Sequence, residues 1–183
     1  MKISKLLIPA TLTLIVLSGC SSTTKPTALP TVASASPSPT NPYGAAPVDP
    51  PGPNEPILTL GKGKKSIKLT LKAIAALGTK KYTIFEPFQK SQQTFTAVTL
   101  KQLFDLVGIS GTDSVTTYAL NDYKFVDTAV SLINSNALLA IARADKAIPY
   151  DQGGPIRIIF PAKQKLTSFL DAWNWSLSSI TVK

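Results

Sequence analysis

The residue types in this chain exclude more chemistry than they allow. Its 183 residues include one cysteine, Cys20, and no histidine. The commonest metal ligand and the commonest general base at neutral pH are therefore missing. With one thiol, no disulfide can form within the chain. Serines are many, but no histidine can activate one, and no pattern marks a Ser–Lys pair. What remains are charged and aromatic residues in suggestive settings. Arg157 interrupts the apolar run Ile156–Phe160. A buried guanidinium needs a partner, and an internal ion pair with Asp122 or Asp171 is expected ahead of a contact to a bound anion. Gly153-Gly154-Pro155 allows a ligand to approach the backbone but reads first as a turn. Asn121-Asp122-Tyr123 fits a cleft wall and hairpin chemistry equally. Trp173 and Trp175 would share one face of a strand, as core packing ahead of a stacking platform such as Trp175 could offer a planar ligand. Glu86, beside Pro87 and Phe88, reads as an exposed loop charge rather than an acid of raised pKa.

Cys20 carries the clearest signal. A basic start (Lys2, Lys5), an apolar run from Leu6 to Leu17 and small residues before Cys20 form the layout of a secretory signal peptide over residues 1–19. The apolar run is shorter than the roughly 20 residues that cross a bilayer. Leu17-Ser18-Gly19-Cys20 resembles the lipobox of bacterial lipoproteins. The resemblance implies that the Cys20 thiol takes a diacylglycerol and becomes the new N-terminus. The expected partner is then the lipid bilayer, and the expected location is the outer side of the cell membrane.

The net charge is +9. A basic balance fits nucleic acid, anionic lipid or an acidic ligand. An exported protein rarely meets nucleic acid, so lipid headgroups, a small anionic or planar ligand, or a partner protein are the expected partners. Residues 20–56 are Pro-, Ser- and Thr-rich, with ten prolines from Pro26 to Pro56. Such a segment cannot bury enough apolar surface to offset ordering, so a disordered tether is expected. It would reach roughly 35 Å as a coil and ~110 Å as polyproline II.

Residues 57–183 read as one α+β domain, a mixed β-sheet with a few short helices and no regular βαβ rhythm. Ile57–Leu60, Ser66–Lys68, Tyr82–Phe85, Gln93–Val98, Val115–Leu120, Tyr123–Val126 and Leu177–Val182 carry strand patterns. Ala137–Arg143 fits a strand or a short helix. Ile156–Phe160 reads as a central strand buried on both faces. Thr70 caps a short helix carrying Leu71, Ile74 and Leu77. Thr99 and Gln102 form a capping box ahead of Leu100, Leu103, Phe104 and Val107, and Gly108 ends that helix. Lys62, Lys64, Lys65, Lys68, Lys72, Lys80 and Lys81 crowd the first strands and helix; a solvated face is the default reading, attraction to anionic lipid the second.

Four blocks, in order, are similar to the oxidoreductase molybdopterin-binding domains of the sulfite oxidase fold: Thr96–Leu100, Ala119–Tyr123, Gly153–Pro161 and Asp171–Leu177. The resemblance implies that fold over most of residues 57–183. It implies less about activity, because enzymes of the family hold molybdenum through a cysteine thiolate shortly before the strand near Val98. Here Tyr82–Ser91 contains none, and Thr83 and Ser91 are hard oxygen donors. Family enzymes also hold the pterin phosphate with basic side chains, one of them just before the final tryptophan, where Asn174 stands here. Molybdenum is not expected, while molybdopterin stays compatible with the resemblance. The expected role is a ligand- or partner-binding accessory module without a catalytic residue. The alternative is an oxidoreductase using a pterin without the usual thiolate ligand.

Overall fold

The structure, a computed structural model, describes residues 49–183. The signal segment, Cys20 and the tether up to residue 48 lie outside the described residues. A turn from Gly52 to Glu55 leads into β1 (Pro56–Lys62), which β2 (Lys65–Thr70) joins as an antiparallel hairpin. The chain continues through α1 (Leu71–Ala75), β3 (Lys80–Glu86), β4 (Ser91–Thr99), α2 (Leu100–Val107), β5 (Ser114–Ala119), β6 (Lys124–Thr128), α3 (Ala129–Asn134), β7 (Leu138–Arg143), β8 (Arg157–Ile159) and β9 (Leu177–Val182).

Two sheets result. One has the order β2-β1-β9-β5-β6, the other β3-β4-β7-β8. The last strand, β9, inserts between β1, to which it runs parallel, and β5, to which it runs antiparallel. Alternation aims one side of each sheet inward: Leu58, Leu60, Val115 and Ile180 from the first, Ile84, Phe95 and Ala97 from the second. These join the buried faces of the helices in one continuous core.

Helix α2 forms where expected and for the expected reasons. The Thr99 hydroxyl accepts from the Gln102 amide, and the Gln102 side chain accepts from the Thr99 amide. Leu100, Leu103, Phe104 and Val107 are buried, and Gly108 ends the helix at φ 77°. The helix has no basic residue in its last turn. Lys65 Nζ donates to the Leu106 carbonyl at 2.5 Å and Lys62 Nζ to the Gly108 carbonyl at 2.9 Å, so the β1–β2 hairpin supplies the cations that a helix C-terminus favours. Lys62 also pairs with Asp113, and Lys81 with Asp145. Three of the seven crowded lysines thus have structural partners.

Two sequence expectations change. Ile156–Phe160 is not a central strand: β8 spans Arg157–Ile159 and lies at the edge of its sheet. It is buried because the following segment covers it, the Ile158 amide donating to the Asn174 carbonyl at 2.9 Å. Trp173 and Trp175 do not alternate on a strand. They follow a 3-10 turn (Leu170–Ala172) in irregular chain. Trp173 is buried edge-on to Phe160, with Nε1 donating to the Thr167 carbonyl, while Trp175 is half-buried elsewhere.

Candidate functional site

Glu86 is the last residue of β3 and shares its inward side with Ile84. It is fully buried. One carboxylate oxygen accepts from Arg157 Nη2 at 2.8 Å, the other from the Gln89 amide. The exposed loop charge expected at Glu86 is therefore corrected, and so is the partner expected for Arg157. Asp122 and Asp171 are exposed, whereas period-2 alternation carries Glu86 inward. That alternation through Tyr82, Ile84 and Glu86 was the signal available in the sequence.

Arg157 is 1% exposed. Its guanidinium carbon lies 4.3 Å from the Trp175 ring centroid, 5.9 Å from Phe88 and 6.0 Å from Phe95. Phe88, on the β3–β4 turn, meets Trp175 edge-on at 4.8 Å and is itself exposed. Arg157 Nη1 donates to the Gln152 carbonyl at 3.3 Å, and Arg143 donates to the Gln152 and Gln93 side chains. Burial pushes the Arg157 pKa down to about 10, against the pull of Glu86, and nearby Arg143 pushes in the same direction as burial. Two guanidiniums face one carboxylate, so the cluster carries excess positive charge. Arg157 Nε and Trp175 Nε1 are buried donors without a protein acceptor.

Gly153 and Gly154 are both buried. Gly153 has φ 86°, and a Cβ there would lie 2.9 Å from two atoms of the Trp175 ring; at Gly154 it would lie 1.7 Å from the Ile148 carbonyl oxygen. Both glycines are required by close approach, and what approaches is the protein itself. Ser176 stitches the three sequence-named loops together. Its amide donates to the Gly153 carbonyl, and its carbonyl accepts from the Leu120 amide, each at 2.8 Å. Asn121, Asp122 and Tyr123 lie exposed at the β5–β6 turn. There Tyr123 Oη donates to the Asp171 carbonyl, and burial followed by the Asp171 charge raises the Tyr123 pKa. The structure thus gathers Gly153, Arg157 and Trp175 in one cluster, with the Asn121–Tyr123 turn on the adjoining seam. A pocket of about 200 Å³ lies between Glu55, Ile57, Leu120, Tyr150 and Pro155.

Residues 85–169 match the family model described as the oxidoreductase molybdopterin binding domain. The fold is similar to that in the crystal structure of the sulfane dehydrogenase SoxCD from Paracoccus pantotrophus, with a TM-score of 0.53 and 12% sequence identity over 68% of this chain and 37% of that chain. This domain has the sulfite oxidase-like, molybdopterin-binding fold. The chain therefore spans a little over a third of the SoxCD chain it matches. No curated protein matches it in sequence.

The residues of this molybdopterin-binding fold do not fit molybdenum. The Glu86 carboxylate is already paired on both oxygens, and no three His, Cys, Asp or Glu side chains converge among the described residues. A soft thiolate donor is not replaced by the Thr83 hydroxyl, which is bonded to Thr94 at 2.8 Å. Asn174, at the position the family resemblance gives to a basic side chain, is buried and turned inward: Nδ2 donates to the Thr117 carbonyl and hydroxyl at 3.1 and 3.0 Å.

Sequence reasoning named Arg157 and Trp175 and missed their surroundings. Arg143, Gln152 and Phe88 meet them only through tertiary structure, and nothing local marks them.

Proposed function

We propose that this protein is a lipid-anchored, extracytoplasmic binding or accessory module built on the molybdopterin-binding fold, without molybdenum catalysis. The observation that carries this reading is the Glu86–Arg157 pair. It commits the carboxylate and the guanidinium of the cluster to each other and leaves no side chain there as a metal ligand, nucleophile or free acid. Two unpartnered N–H donors, Arg157 Nε and Trp175 Nε1, together with excess positive charge and the aromatic faces of Phe88 and Trp175, suit a small anionic or planar ligand rather than a cation. The N-terminal sequence supports anchoring through Cys20 and export from the cytoplasm.

A second reading, an oxidoreductase that uses a pterin without the thiolate ligand, is favoured by the family match over residues 85–169. Metal analysis and cofactor extraction on protein purified from its native host separate the two. The accessory reading expects substoichiometric molybdenum. Stoichiometric molybdenum sinks it, and a metal-free pterin recovered at one per chain supports the second reading.

A further inference from the structure

The domain's positive charge is concentrated in one stretch of its sequence. From Ile57 to Lys81 there are seven lysines and no aspartate or glutamate, whereas Tyr82 to Lys183 carries nine cationic and eight acidic residues. The segment Ile57–Lys81 forms β1, β2, α1 and the start of β3. Strand β2 is the edge of the five-stranded sheet, β3 is the edge of the four-stranded sheet, and α1 connects them. Lys64, on the hairpin turn, Lys68 on β2, Lys72 on α1 and Lys80 on β3 are all exposed. Their amines have no hydrogen-bond or ion-pair partner among the described residues, unlike Lys62, Lys65 and Lys81.

The N-terminal segment enters the domain beside this stretch. Pro56, at the start of β1, pairs opposite Thr70, the residue that caps α1. The segment that joins the domain to Cys20 therefore meets it two residues along the chain from Lys72. Lysine on an edge strand also discourages pairing with another chain. That role is met by either sign of charge and does not require the absence of carboxylates over the whole segment.

We infer that the exposed Lys64, Lys68, Lys72 and Lys80 form one surface that docks on an anionic phospholipid membrane. This inference rests on the lipid-anchored reading, in which the anchor keeps the domain near the surface and the lysines set its orientation. Each lysine at an anionic surface strengthens binding roughly fivefold. The contact is screened within about 8 Å at physiological salt.

The test uses the full processed chain on vesicles of phosphatidylcholine, with or without phosphatidylglycerol, read by flotation and by amide hydrogen exchange. The expected result is flotation with both compositions, with slowed exchange over residues 63–72 only when phosphatidylglycerol is present, reversed by high salt. Changing Lys64, Lys68, Lys72 and Lys80 together to Gln should lower the docking equilibrium constant roughly six-hundredfold. Changing Lys90, Lys146, Lys163 and Lys165 to Gln removes the same charge elsewhere and should leave docking intact. Flotation with both compositions and no composition-dependent protection overturns the lysine surface but not the anchor. Flotation with neither overturns both. Equal loss in the two quadruple variants, or protection by a soluble polyanion but not by vesicles, also overturns the membrane surface.

Discussion

Arg157 and Glu86, 71 positions apart in sequence, join the two outermost strands of the four-stranded sheet through a 2.8 Å ion pair. The register sets Arg157 opposite Ala140, Ala97 and then Lys80, so Glu86 lies six residues farther along β3 and meets Arg157 only because the sheet curls. The Arg157 guanidinium carbon lies 6.0 Å from the Phe95 ring of β4. The pair is buried on both sides, so desolvation offsets much of its attraction, and its presence alone says little about net stability.

Removing one partner is another matter. Arg157→Met keeps the apolar stem but leaves the buried Glu86 carboxyl without its partner. The expected loss is about 3–5 kcal/mol, a large share of the ~5–15 kcal/mol typical of a domain. Replacing both residues with Met should recover most of it. A denaturation series over the four proteins gives the coupling directly. An unchanged midpoint in the single variant would show that the pair does not hold the domain together.

The elements that were legible in the sequence are those specified locally. The Thr99–Gln102 capping box, the αL stop at Gly108 and the Asn121–Asp122 turn are each written within a few residues. The overall α+β class followed from strand patterns broken by a few short helices without a regular βαβ rhythm. Helix α3 was missed because Ala129–Asn134 is short and contains β-branched Val130 and Ile133; its only local sign is Thr128, whose hydroxyl accepts from the Ser131 amide. At the candidate site the need of Arg157 for a carboxylate was readable, but its identity was not. Asp122 and Asp171 belong to segments that resemble the family, while Glu86 becomes a partner only when β3 and β8 share a sheet.

Gly153→Ala tests the packing behind Trp175. The substitution meets both a left-handed backbone and a ring at 2.9 Å, so Trp175 must move. The expected outcome is a shifted tryptophan emission and a lower thermal midpoint, with Trp173 unaffected because it packs on Phe160. Gly154→Ala should be worse, since the obstacle is a backbone carbonyl oxygen 1.7 Å away. Equal, small effects at the two positions would contradict the close approach.

Acid should loosen the β5 end of α2. The Lys62 ammonium and then the Ser110 amide hold the Asp113 carboxyl below its usual range. A carboxyl whose folded pKa is depressed contributes stability above its unfolded pKa and loses it as pH falls through the folded value. Stability should therefore fall with pH below about 4, and Asp113→Asn should flatten that part of the profile. The size of the effect is small because solvent screens a pair this near the surface. An unchanged acid slope in the variant assigns the loss to other carboxylates.

The anchor is decided at Cys20. Only a thiol accepts the lipid, and each buried acyl methylene adds about 0.8 kcal/mol to membrane binding. Cys20→Ser should leave the chain unprocessed by the lipoprotein route and move it out of the detergent phase. The domain itself should keep its thermal midpoint, because among the described residues its core draws on those from Ile57 onward. Residual membrane association in this variant should be salt-labile and disappear with the four exposed lysines, whereas acyl anchoring survives high salt. Unchanged detergent partitioning of Cys20→Ser would refute the lipoprotein reading whatever the lysines do.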